Sequence, residues 1–195
     1  MKDAGIGRLL VASLHQAIAD RLPDRLEFYE NWLNPQGLRD GTIGLAPLHA
    51  VLSFLRTEGA DYARVTTAAG EYAGEWAVGG LSPLRHWAAT RLPRPLRRRV
   101  ALGVARTLIT GAYTGSRTRL KVRRKVGTLE ITSSIFCGVR ARVPNPLCQF
   151  HAAAITRVLA ELGIPAQTRI VACQATGDGP CRVEIDMSGV SEETA

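Results

Sequence analysis

Apolar residues recur at three- and four-residue intervals along the first two thirds of the chain, and this period predicts helices. Ile6, Leu9, Leu10, Leu14, Ala17 and Ile18 mark one face of a helix over 6–21. Leu22-Pro23-Asp24 breaks it, and a short helix over 25–33 carries Phe28, Tyr29 and Trp32. The composition of Asn34 to Gly44 predicts a loop. A third helix is expected from near Pro47 to Gly59, with Leu48, Val51, Leu52 and Leu55 inward and His49 facing solvent. Helices over 61–78 and 93–112 follow. The second has Leu96, Val100, Val104 and Leu108 at spacing four.

Within 61–78 the residues Ala68, Ala69, Gly70, Ala73 and Gly74 are small. Such a run lets another backbone come close, or leaves room for a flat ligand, and close packing is the commoner cause. Trp76 follows, then Trp87 beside His86. Aromatics next to small residues are core first and the wall of an apolar pocket second.

The pattern changes beyond residue 120. Lys121 to Lys125 suits an exposed edge strand, where positive charge deters edge-to-edge association. Thr128 to Cys137 is β-rich. Pro146 opens a helix whose apolar face is Leu147, Phe150, Ala154, Ile155, Val158 and Leu162, stopped by Gly163 and Pro165. Strands over 167–173 and 181–185 read as a hairpin around Gly177-Asp178-Gly179-Pro180, with Cys181, Val183 and Ile185 on one face. Helices followed by a few strands predict an α/β chain of the α+β kind, with helices packed on a small, mainly antiparallel sheet.

All four cysteines, Cys137, Cys148, Cys173 and Cys181, fall in this last part. Cys148 and His151 lie three apart on the expected helix, hence on nearly one side of it. Cys173 and Cys181 flank the turn and can face each other across two strands. The sequence leaves three outcomes open: a zinc site of thiolates with or without His151, a disulfide joining Cys173 to Cys181, or four buried thiols. There is no CxxC pair to decide among them.

The 195 residues suffice for one core, and the division expected is one domain over 1–187 with a polar tail over 188–195. The chain has no apolar run of membrane-spanning length and no signal-peptide pattern, so a cytoplasmic location is expected. Much of the net charge of +8 sits between residues 94 and 125. Arg94, Arg97, Arg98 and Arg99 crowd a helix start, where positive charge is unfavourable. Solvated surface ranks first as the role of this segment. An acidic ligand or partner protein ranks second, and nucleic acid third, because no nucleic-acid motif accompanies the charge; contact with an anionic membrane surface is a further, unranked option. No dinucleotide loop, phosphate loop or nucleophile elbow is present, so the residues offer no catalytic set.

Pro146-Leu-Cys-Gln-Phe-His-Ala-Ala153 together with Cys173-Gln-Ala-Thr-Gly-Asp-Gly-Pro-Cys181-Arg-Val183 resembles the signature of the vinyl-4-reductase (4VR) domain family, of TRAPP-like fold. The likeness is to the type associated with bacteriochlorophyll biosynthesis. The resemblance implies zinc held by Cys148, Cys173 and Cys181 with a glutamate three residues before Cys173. Ile170 stands there and cannot ligate, so the fourth ligand falls to Cys137, His151 or water. It also implies a binding or carrier role for a tetrapyrrole, a (bacterio)chlorophyll precursor, presented to a pigment-biosynthesis enzyme. If its central metal is ligated, His151 is the candidate ligand, with a buried histidine bonded to backbone, or a zinc ligand beside Cys148, as the other reading of that residue. Trp76, read above as core first and pocket wall second, is the candidate to line the pocket. Two alternatives stand beside this: an enzyme reducing a vinyl group with an external donor, and a module that forms a homodimer through its helices and binds no pigment.

Overall fold

The computed structural model describes residues 6–33, 37 and 44–188. Helix α1 (Arg8–Arg21) occupies the first predicted stretch and buries Leu10, Leu14, Ala17 and Ile18. The second predicted helix is shorter than its pattern: Pro23–Arg25 form a 3-10 turn and α2 covers only Leu26–Glu30. The expected loop at 34–44 lies outside the described residues except for Gly37 and Gly44, as does the tail beyond Ser188. Helix α3 (Leu45–Thr57) buries Leu48, Val51, Leu52 and Leu55 as the pattern requires. His49 is half-buried rather than solvent-facing, with its ring against Gly138.

Helix α4 (Ala60–Gly79) is the centre of the packing, touching α1 along one side. Next comes α5 (Pro83–Arg91), a helix with no apolar period to announce it, since Ala89 is its only buried residue. Helix α6 (Arg94–Ala112) buries Ala101, Leu102, Ala105, Leu108, Ile109 and Ala112. Of the expected stripe Leu96, Val100, Val104 and Leu108, only Leu108 belongs to the core. The small alanines sit inward because they let α6 lie close to its neighbours, which turns the larger residues to the flank.

Strands β1 (Arg117–Arg123) and β2 (Val126–Thr132) form a hairpin whose turn is Arg124-Lys125, with Arg124 at φ 53°. Helix α7 (Gln149–Glu161) follows, then β3 (Gln167–Ala172) and β4 (Cys181–Asp186). Among the described residues there are thus seven α-helices on one four-stranded antiparallel sheet of order β1-β2-β4-β3, the mixed α/β class expected. β1 is an edge strand, longer than expected. One sheet face is apolar through Leu129, Ile131, Cys181, Val183 and Ile185, while Glu130, Arg182 and Glu184 alternate to the other. The β-rich run at 128–137 does not continue as one strand. β2 ends at Thr132, Ser133 takes φ 58°, and Ile135–Cys137 form a 3-10 turn that carries Cys137 inward.

The small residues of α4 prove to be the seat of α7. A methyl group on Gly70 would lie 2.9 Å from Ala153 Cβ, and one on Gly74 would lie 2.9 Å from the Ala154 carbonyl oxygen. Close packing therefore accounts for both glycines. No described helix is long and apolar enough to cross a membrane.

Candidate metal centre and ligand cavity

Four separate elements deliver the four cysteines. Cys137 ends the 3-10 turn after β2, and Cys148 caps the N-terminus of α7. Cys173 precedes a short 3-10 turn after β3, and Cys181 is the first residue of β4. All four are buried, and their sulfurs lie within 4.8 Å of one another. The Sγ of Cys137 is 3.7 Å from that of Cys148, 3.5 Å from Cys173 and 3.3 Å from Cys181, and Cys148 donates to Cys173 at 3.1 Å. A disulfide needs sulfurs about 2.05 Å apart, and all four cysteines are free, so of the three outcomes the Cys173–Cys181 bond is not formed. A tetrahedral ion with metal–sulfur bonds of about 2.3 Å holds its sulfurs about 3.8 Å apart, close to the spacing seen here.

Two backbone amides point at the sulfurs. Leu147 N–H donates to Cys173 at 3.4 Å and Gln174 N–H to Cys181 at 3.4 Å. Hydrogen bonds from Cys137, Cys148 and Cys181, with the Leu147 amide, hold Cys173 well below the ordinary thiol range. Hydrogen bonds to Cys137, Cys173 and Cys181, and then burial, push Cys148 up. One cluster thus contains both a sulfur ready to be thiolate and a proton that a cation would displace.

Two side chains that the sequence did not single out fix the loops carrying this cluster. Arg56 donates to the Phe136 carbonyl at 3.0 Å, and the buried Tyr62 hydroxyl donates to the Leu147 carbonyl at 3.1 Å. Each anchors the residue just before a cysteine. Nothing in their local pattern could reveal this, because their acceptors are main-chain atoms 80 and 85 residues away.

His151 and Trp76 do not share a site. His151 is buried, its Nε2 is 2.9 Å from Ser134 Oγ, and its ring meets Phe136 and Phe150 edge-on. Burial lowers its pKa to about 4, so it is neutral near pH 7. Its buried Nδ1 has no hydrogen-bond partner among the described residues. Ile170 sits on β3 opposite Val183 and lines a shallow groove with Ala152 and Thr156, so Cys137 supplies the fourth thiol instead.

Trp76 stacks on Tyr72 and lines a separate cavity of about 710 Å³ between the start of α1, the end of α4 and the flank of α6. Leu9, Leu81, Val100 and Val104 supply apolar wall, and Arg8 and Arg85 supply two guanidinium groups. Val100 and Val104 of the α6 stripe line this cavity while packing, half-buried, against the edge of the core. Trp87 lies outside it and is 55% exposed.

No family model matches the sequence, and no curated protein matches it. A solved structure, the phenol-responsive sensory domain of the transcription activator PoxR with phenol, aligns with a TM-score of 0.44 and 16% identity, over 73% of this chain and 74% of that chain. Likeness at that distance carries no argument about what this chain binds.

Proposed function

We propose that this chain is a binding module for an apolar, carboxylate-bearing small molecule, built on a body whose sheet and helices are tied together by a zinc ion. The cavity beside Trp76 is the observation that carries the reading. Its volume lies in the range of small-molecule sites, its wall is mainly aliphatic with one aromatic ring, and its two charged lining residues, Arg8 and Arg85, are both cationic. Such a lining favours a flat hydrophobic body with one or two acid groups. The resemblance of the Cys148 and Cys173–Cys181 segments to the 4VR type narrows this to a tetrapyrrole of the (bacterio)chlorophyll-precursor kind, held for delivery to an enzyme. Trp76 is assigned to stacking on the ring. His151 lies outside this cavity, and its assigned role is packing among Ser134, Phe136 and Phe150.

Zinc is assigned to Cys137, Cys148, Cys173 and Cys181. An all-thiolate, four-coordinate set with no open position is the pattern of a structural site, not of one that activates water. When bound, the ion holds the sulfurs as thiolates and cross-links β2, α7, β3 and β4.

Titration of the purified protein with a free-base porphyrin bearing carboxylates tests the cavity. Saturable quenching of tryptophan emission with a shifted Soret band is expected, and quenching that is lost in Trp76→Phe locates it. A porphyrin that neither quenches nor shifts would remove this reading.

A further inference from the structure

We propose that α5 and the start of α6 form a docking surface for an anionic phospholipid bilayer. Leu84 is 75% exposed, Trp87 55% and Leu96 44%, the three most exposed large apolar side chains among the described residues. Leu84 and Trp87 are three apart on α5 and so project from one side of it. Among the described residues they stay uncovered: α5 is held against α6, and only Ala89 of α5 is buried. An exposed tryptophan beside an exposed leucine suits the headgroup–acyl boundary, where an amphipathic ring has both its environments.

Charge selects the occupant. From Trp76 to Leu129 the sequence contains eleven Arg, two Lys and no Asp or Glu. Arg97 and Arg98 are engaged with the carbonyls of Gly163 and Met187. Arg85, Arg91, Arg94 and Arg99 are exposed, and none is paired with a carboxylate among the described residues. Four guanidinium groups without a carboxylate partner, on the same two helix segments as Leu84, Trp87 and Leu96, complement anionic headgroups, each adding attraction that salt screens. Two copies of this face would repel each other, which disfavours it as a dimer interface. A nucleic acid would leave Leu84 without an apolar environment.

Arg85 lies on α5 and also lines the cavity, so the docking face adjoins the cavity's wall. An apolar ligand partitioned into the bilayer would then meet the protein where it binds. That last step rests on the function proposed above, whereas docking itself does not.

Flotation with vesicles tests docking with no ligand added, so its failure is distinct from failure of the cavity. The intact chain should float with vesicles of equal parts phosphatidylcholine and phosphatidylglycerol, not with phosphatidylcholine alone, and rising salt should release it. Leu84→Ser with Trp87→Ser should weaken binding at least about tenfold with an unchanged melting curve, because both positions are exposed. Arg91→Glu with Arg94→Glu should remove the preference for anionic lipid. Absence of binding to the anionic vesicles would overturn the proposal, as would binding that the Leu84/Trp87 variant leaves intact. A concentration-dependent dimer of the intact chain that this variant dissolves would also overturn it, in favour of self-association.

Discussion

Cys148 Sγ and Cys173 Sγ lie 3.1 Å apart although 25 residues separate them, because the start of α7 and the end of β3 converge on one buried point. Cys137 and Cys181 complete the group from β2 and β4. Elemental analysis of protein purified without chelator should therefore find about one zinc per chain. Stripping it should lower the melting temperature by about 10 °C, since an ion that binds only the folded chain adds its binding free energy to stability. Cys137→Ser should lose the metal as readily as Cys148→Ser. Full retention of zinc in Cys137→Ser would show that the fourth ligand lies elsewhere.

Gly70 and Gly74 set how closely α7 approaches α4. Gly74→Ala places a methyl group against the Ala154 carbonyl and Arg157, and should destabilise the protein by about 1–3 kcal/mol. Gly103→Ala provides the contrast. A methyl there meets no atom within 4 Å, and replacing a mid-helix glycine should stabilise by roughly 0.5–1 kcal/mol. Denaturant unfolding of the two variants checks both signs.

The same open space at Gly103 tests the cavity. Gly103→Leu projects its side chain into the volume bordered by Val100 and Val104 without disturbing the core. It should reduce porphyrin affinity at least about tenfold while leaving the melting temperature near that of the parent. Equal affinity in this variant would place the ligand outside the cavity.

Tyr29, with the buried Tyr62, contributes to an alkaline limit. Its ring is fully buried and its hydroxyl donates to Glu58 at 3.2 Å. Burial, then the charge of Glu58, raises its pKa above the ordinary value of 10.0. The folded state therefore keeps a proton that the unfolded chain loses. The associated stability is complete below about pH 10 and is lost as pH rises beyond it. Tyr29→Phe should be less sensitive than the parent as pH rises above about 10. Parallel pH–stability curves for the two would exclude Tyr29 as the titrating group.

Local pattern alone was enough for most of the helices and for the apolar face of α7. Leu147, Phe150, Ala154, Ile155, Val158 and Leu162 are all buried, and Gly163 ends the helix at φ 67°. Helical period is a property of near neighbours, and so is the alternation of Cys181, Val183 and Ile185. The same logic failed for α5, which is almost wholly exposed and so carries no apolar stripe. It failed too for the β1–β2 turn, where Arg124-Lys125 takes a positive φ without the glycine or asparagine that announces one.

The sequence by itself placed four cysteines around one helix start and one hairpin, and could not say what they formed. Only the tertiary structure set the sulfurs 3.1–3.7 Å apart, too far for a disulfide and close to a metal's spacing, because burial of three strands and a helix on one another decides that distance. It likewise made Cys137 the fourth thiol where Ile170 offered none. It also parted Trp76 from His151: the first faces a cavity and the second packs against Ser134. Side-chain type states what a residue can do, and only packing determines which residues do it together.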